Sequence, residues 1–138
     1  MKLRLLDILV CPLDKEWPLK VHIFEDRNID DPKIPKKDEE TKVVCRFYCV
    51  KKDIQIIDES NDQNKVTEDA KKINYDSDCK ECLSKEIVAG MIMCPKCSTL
   101  YPIIDEIPLM LKAELRNEDI EKQFSEKWSD KIKELMTK

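Results

Sequence analysis

The residues of this 138-residue sequence best suited to chemistry are its seven cysteines, and their spacing is that of metal ligands. Cys94-Pro95-Lys96-Cys97 is a CxxC pair set between two strand-like segments. A tight turn of that kind aims both thiolates at one ion about 2.3 Å away. A redox CxxC would follow a strand and open a helix, whereas here Tyr101, Pro102 and Ile103 continue as strand. Cys79 and Cys82 form a second CxxC, in a polar stretch with Asp76 and Asp78, and Cys45 and Cys49 are spaced CxxxC. Cys11 stands in Cys11-Pro12-Leu13-Asp14, where a carboxylate occupies the place a second thiolate would take.

Seven thiols and one carboxylate suggest two four-ligand sets. The simplest division joins the chain ends through Cys11, Asp14, Cys94 and Cys97. The middle of the chain then closes on itself through Cys45, Cys49, Cys79 and Cys82. The alternative groups Cys79 and Cys82 with Cys94 and Cys97 and leaves Cys45 and Cys49 free. Zinc accepts three thiolates and a carboxylate, although four thiolates are the commoner structural set. The sequence therefore predicts at least one zinc ion per chain, with the middle segment able to hold a second. There is no secretory signal and no run approaching the ~20 apolar residues of a membrane span. The expected compartment is the cytoplasm, where thiols bind metal rather than form disulfides. The odd cysteine count agrees.

Catalysis finds little support. His22 is the only histidine and lies on the expected solvent side of a strand, and no serine or cysteine has a histidine at a recognisable spacing. A hydrolytic zinc site keeps an open position and histidine ligands. Gly90 is the only glycine, which excludes glycine-rich phosphate loops. The net charge of -4 does not describe a nucleic-acid footprint. Lys36-Lys37 and Lys51-Lys52 have acidic neighbours and no interleaved aromatics.

These residues need elements to hold them. Residues 3–10 read as a short helix ended by Pro12, with Asp7 facing away from its apolar side. Residues 19–23 alternate as a strand. Residues 25–42 are charged and carry Pro32 and Pro35, which suits a loop. Residues 43–48 and 54–57 read as a hairpin, and 65–75 as a weak helix. Strands are expected at 87–93, 99–104 and 107–111. From Glu118 the period changes: Ile120, Phe124, Trp128, Ile132 and Leu135 form one helical stripe, with Asn117 as N-cap. The expected fold is α+β, a small zinc-ribbon-like antiparallel sheet with N- and C-terminal helices. Residues 1–20 and 84–138 would form the ribbon domain, and 21–83 an inserted subdomain.

Two blocks carry a family resemblance. Leu5-Leu6-Asp7-Ile8-Leu9-Val10-Cys11-Pro12 is the first. The second is Cys94-Pro95-Lys96-Cys97 followed by Leu100-Tyr101-Pro102-Ile103-Ile104-Asp105-Glu106-Ile107-Pro108-Leu109-Met110-Leu111. Together they resemble the small zinc-binding activator subunit of S-adenosylmethionine-dependent methyltransferases that act on tRNA, rRNA or translation release factor. The resemblance implies a non-catalytic subunit that stabilises and activates a catalytic partner, which holds methyl donor and substrate. It matches Cys11, Cys94 and Cys97 to metal ligands and sets Asp14 in the fourth ligand's place. Cys45, Cys49, Cys79 and Cys82 lie outside its common motif. The segment with Ile107, Leu109, Met110 and Leu111 is too apolar for a small domain to cover on both faces, which suits a partner contact. Packing under the C-terminal helix is the internal alternative. Nucleic acid would be met only through the partner, and no membrane is involved. A free-standing RNA-binding zinc ribbon is the competing function.

Overall fold

The computed structural model describes residues 1–58 and 65–137. A 3-10 helix Leu3–Asp7 leads into β1 (Lys20–Asn28), β2 (Tyr48–Cys49), β3 (Ile54–Gln55), β4 (Ile57–Asp58) and β5 (Lys65–Val66). A 3-10 helix Asp69–Lys72 and a wide turn Tyr75–Cys79 precede α1 (Lys80–Leu83). Then come β6 (Lys85–Met93), β7 (Leu100–Ile104), β8 (Ile107–Pro108), a turn Ala113–Leu115, α2 (Glu118–Lys127) and α3 (Ser129–Met136). The fold is α+β, with a four-stranded antiparallel sheet in the order β1-β6-β7-β8.

The sheet is covered on both faces. In β7, Tyr101 and Ile103 point to one side and Leu100 and Ile104 to the other, the two-residue period of a strand. Tyr101, Ile103 and Ile92 pack with Leu6, Leu19, Cys11 and Cys94 beneath the N-terminal 3-10 helix. Full burial of such side chains is worth about 1.5–3 kcal/mol each. On the opposite face Ala89 and Met91 meet Phe124, Trp128, Ile132 and Leu135. Phe24 stacks on Phe124 at 6.2 Å and lies tilted against Trp128 at 5.5 Å. The C-terminal stripe thus covers the chain's own sheet. Asn117 caps α2, its side-chain oxygen accepting from the N–H groups of Asp119 and Ile120. The helix is not continuous: Trp128 leaves helical geometry (φ -109°, ψ 22°) and α3 restarts behind it. Gly90 is required where β1 crosses β6, because a Cβ there would lie 2.6 Å from the His22 carbonyl oxygen.

The segment between β1 and β6 has its own small core of Val43, Cys49, Ile56, Ala70 and Ile73. Its hairpin is shorter than the expected 43–48 and 54–57, pairing Tyr48–Cys49 with Ile54–Gln55 alone. The expected helix over 65–75 is absent. Val66 pairs with Ile57 across two strands, and the Thr67 hydroxyl accepts the Ala70 N–H and starts a 3-10 turn instead. Residues 21–28 join the main sheet, with Asn28 opposite Lys85, so the sheet takes in residues the sequence assigns to the insertion.

Asp7 ties the two parts together. Far from facing solvent, it is 7% exposed. Its carboxylate accepts the N–H groups of Arg46, Phe47 and Tyr48, each at 2.7 Å. Trp17 donates its indole N–H to the Asp7 carbonyl and packs edge-on against Tyr48.

Candidate metal centre

Two hairpin-like turns present the chain-end ligands. In the first, the Cys11 N–H bonds the Glu16 carbonyl at 3.0 Å and the Lys15 N–H bonds the Cys11 carbonyl at 2.9 Å. In the second, the Cys94 N–H bonds the Thr99 carbonyl and the Ser98 N–H bonds the Cys94 carbonyl, at 3.0 and 2.9 Å. Each turn closes through a left-handed residue, Lys15 at φ 63° and Ser98 at φ 60°. The N–H groups of Leu13 and Asp14 then point at Cys11 sulfur, and those of Lys96 and Cys97 at Cys94 sulfur. Such donors favour the thiolate form that a metal requires.

Cys11, Asp14, Cys94 and Cys97 have their ligand atoms all within 4.8 Å of one another. Cys11 Sγ lies 3.8 Å from Cys97 Sγ, and Cys94 Sγ lies 3.5 and 3.6 Å from the two Asp14 oxygens. A tetrahedral zinc ion, bonded at about 2.3 Å to sulfur and about 2.1 Å to oxygen, sets sulfurs about 3.8 Å apart and sulfur and oxygen about 3.6 Å apart. The residues therefore fit zinc in both chemistry and spacing. Cys11 and Cys94 are buried and Cys97 is exposed, so the centre sits at the surface with its sulfurs screened on one side. Such an ion would link the two ends of the chain and supply folding energy.

The electrostatics suit this. Burial pushes Cys11 up, but the Tyr101 hydroxyl and the backbone donors outweigh it and hold the thiol below its ordinary value. Tyr101 Oη is 3.2 Å from Cys11 Sγ. Burial pushes Cys94 up to about 11, so without an ion it is a neutral thiol. The Glu16 N–H holds the Asp14 carboxyl below its usual range, keeping it ready to ligate.

The other four cysteines are arranged differently. Among the described residues, only the chain-end group reaches that mutual 4.8 Å spacing. Cys45, Cys49, Cys79 and Cys82 nonetheless line one small cavity together with Arg4, Lys51 and Asp78. Burial pushes Cys82 up to about 11 and raises Cys45 and Cys49 as well.

The four residues expected at a partner contact divide. Ile107, in edge strand β8, is 60% exposed, and Leu111 is 45% exposed. Leu109 is half-buried and donates its N–H to the Pro102 carbonyl. Met110 packs against the core beneath the N-terminal 3-10 helix. Sequence reasoning missed Tyr101 and Asp7. The alternation of β7 places Tyr101 beside Ile103 and would have found it. Asp7 finds its partners 39 to 41 residues onward, where no local pattern points.

Among the described residues no helix is long and apolar enough to cross a membrane. No curated protein matches the chain. A chain of the E. cuniculi Mtq2-Trm112 complex, described as responsible for methylation of the eRF1 translation termination factor, is similar in structure. It is 20% identical, with a TM-score of 0.49, and the match covers 81% of this chain and 96% of that one. So distant a likeness carries no functional argument. The family model described as Trm112p-like protein matches residues 2–106, a span that includes both ligand-bearing turns and everything between them. On that match the chain belongs to the Trm112p-like family, non-catalytic zinc-binding activators of S-adenosylmethionine-dependent methyltransferases that act on RNA or translation factors.

Proposed function

We propose that this chain activates and stabilises its methyltransferase by seating the β8 edge and the residues after it on an apolar face of the catalytic subunit. The supporting observation is the exposure of Ile107 and Leu111 on and just after a two-residue edge strand. Ile107 pairs with Ile104, on the face that the C-terminal stripe covers, yet at 60% exposed it is left uncovered by that stripe. An edge strand lets a partner extend the sheet through backbone hydrogen bonds while burying alternate side chains. Leu109 and Met110 shape the segment from within, Leu109 through its backbone bond to Pro102 and Met110 by packing against the core behind it. Methyl donor and substrate belong to the partner, and this chain supplies cover and order.

Zinc at Cys11, Asp14, Cys94 and Cys97 fixes the turn that precedes β7 and so the edge that docks. This reading needs one ion. A second ion at Cys45, Cys49, Cys79 and Cys82 is independent of it. The cytoplasm is the compartment consistent with seven free thiols.

Co-expression with a catalytic subunit tests the contact. The Ile107→Glu/Leu111→Glu protein, with its own fold and zinc content intact, should lose co-purification and activation. An undiminished complex would move the interface elsewhere on the chain.

A further inference from the structure

We propose that the inserted segment holds a second zinc ion, bound by the four thiolates of Cys45, Cys49, Cys79 and Cys82. The first support is the turn around Cys49. The N–H groups of Lys51 and Lys52, two and three residues on, point at Cys49 sulfur. Cys49 pairs with Ile54, five residues on. Asp53, four residues on, is left-handed at φ 53°. Cys11 and Cys94 have the same donors, the same five-residue pairing and the same left-handed position, although the Asp53 N–H bonds the Val50 carbonyl where those of Lys15 and Ser98 bond their own cysteine's. The insertion therefore contains a third turn of the kind that presents the first centre's ligands.

That turn alone is not a metal site. Residues 38–43 form it around Asp38, whose carboxylate takes the N–H groups of Glu40 and Thr41 with Lys42 at φ 63°. What distinguishes Cys49 is its company. The four sulfurs line one cavity, and each lies near enough to the other three to repel them if ionised. Cys79 and Cys82 stand three residues apart across the start of α1, on one helical face. Asp7 fixes the backbone between Cys45 and Cys49 from the ribbon side.

The cavity sets the kind of occupant. Its volume is about 20 Å³, close to the ~10–15 Å³ that one water-sized particle needs. It has room for a single ion. Four sulfur ligands around one ion select a soft or borderline cation, for which zinc is the ordinary choice. A zinc ion with four thiolates carries two net negative charges. Arg4 and Lys51 line the cavity to meet them, and the nearby Asp78 is paired with Lys52 at 3.3 Å. No three of the sulfurs are yet as close as those of the first centre. Binding an ion therefore requires the thiols to turn inward by rotation about their side-chain torsions.

Zinc counting by native mass spectrometry of the full chain tests this without any methyltransferase partner, so it stands or falls apart from the activating role. Wild type at saturating zinc should carry two ions, Cys49→Ser and Cys82→Ser one each, and Cys97→Ser one. Cadmium-113 NMR of wild type should show two signals, the all-sulfur one downfield of the one with a carboxylate ligand. One ion per folded wild-type chain would overturn the proposal, as would two ions retained by both Cys49→Ser and Cys82→Ser. Fewer than seven free thiols after metal removal under reducing-agent-free handling, with a single ion in wild type, would assign the insertion's cysteines to a disulfide instead. Cys49→Ser that fails to fold does not block the test, because the wild-type count and the cadmium spectrum decide it.

Discussion

Removing the Asp7 carboxylate should cost more stability than any surface charge in this chain. Two of its acceptor bonds, from Phe47 and Tyr48, converge on Oδ1, and the third, from Arg46, goes to Oδ2. A buried donor left without a partner costs about 1–3 kcal/mol. Arg46 is exposed and its N–H can turn to water, so Phe47 and Tyr48 carry the penalty. Asp7→Ala should then lose about 2–6 kcal/mol. Asp7→Asn keeps an oxygen for those two donors but loses the charge and sets its NH2 group against the Arg46 N–H, which should cost about 2 kcal/mol. Urea unfolding at fixed free zinc measures both, with zinc held constant because ligand binding shifts apparent stability. Hydrogen exchange adds the location: the Phe47 and Tyr48 amides should lose protection before those of β6. An Asp7→Ala protein within 1 kcal/mol of wild type, or unchanged exchange at those amides, would refute the view that this carboxylate joins insertion to ribbon.

Other perturbations are simpler. Asp14→Cys should convert the chain-end centre to four thiolates and tighten zinc at least tenfold, about 1.4 kcal/mol, in competition with a chromophoric chelator; unchanged affinity would mean Asp14 is not a ligand. Because Cys94 is pushed up to about 11, zinc uptake must displace its proton. Zinc affinity should therefore fall as pH falls from 8 to 6, and a flat profile would contradict thiolate ligation. Gly90→Ala should destabilise by about 1–3 kcal/mol through overpacking against the His22 carbonyl, read by thermal unfolding; a neutral effect would show that β1 can shift freely. Met110→Glu should destabilise the isolated chain, whereas Ile107→Glu should leave its melting curve within about 0.5 kcal/mol, since one side chain packs against the core and the other lies outside it.

The parts of the fold legible in the sequence are those set by local chemistry. The N-cap at Asn117 follows from its side chain, and β7 follows from its short apolar run after the CPKC turn. The grouping of Cys11 and Asp14 with Cys94 and Cys97 follows from two short turns that each confine their ligands. The illegible parts depend on distant partners. Asp7 breaks an apolar run and so reads as a surface residue, yet its acceptors are filled from the insertion. The stripe from Phe124 to Leu135 reads equally as a core or an interface, and only the register of the sheet shows that Phe24 and Met91 meet it. Met110 and Ile107 look alike in composition, but the end of β8 turns one inward and leaves the other outside. The turn around Cys49 is invisible as spacing, because Lys52 stands where a CxxC would place its second sulfur.

In the proposed function this chain contributes order and cover, and no chemistry, to a methyltransferase. Transfer of labelled methyl groups from S-adenosylmethionine to RNA or to translation release factor measures it most directly. The catalytic subunit is assayed alone, the chain alone, and the two together. The expected result is no transfer by the chain alone, weak transfer by the catalytic subunit alone, and full transfer by an equimolar complex. Transfer by the chain alone, or activity of the catalytic subunit that its addition leaves unchanged across RNA and protein substrates, would contradict it.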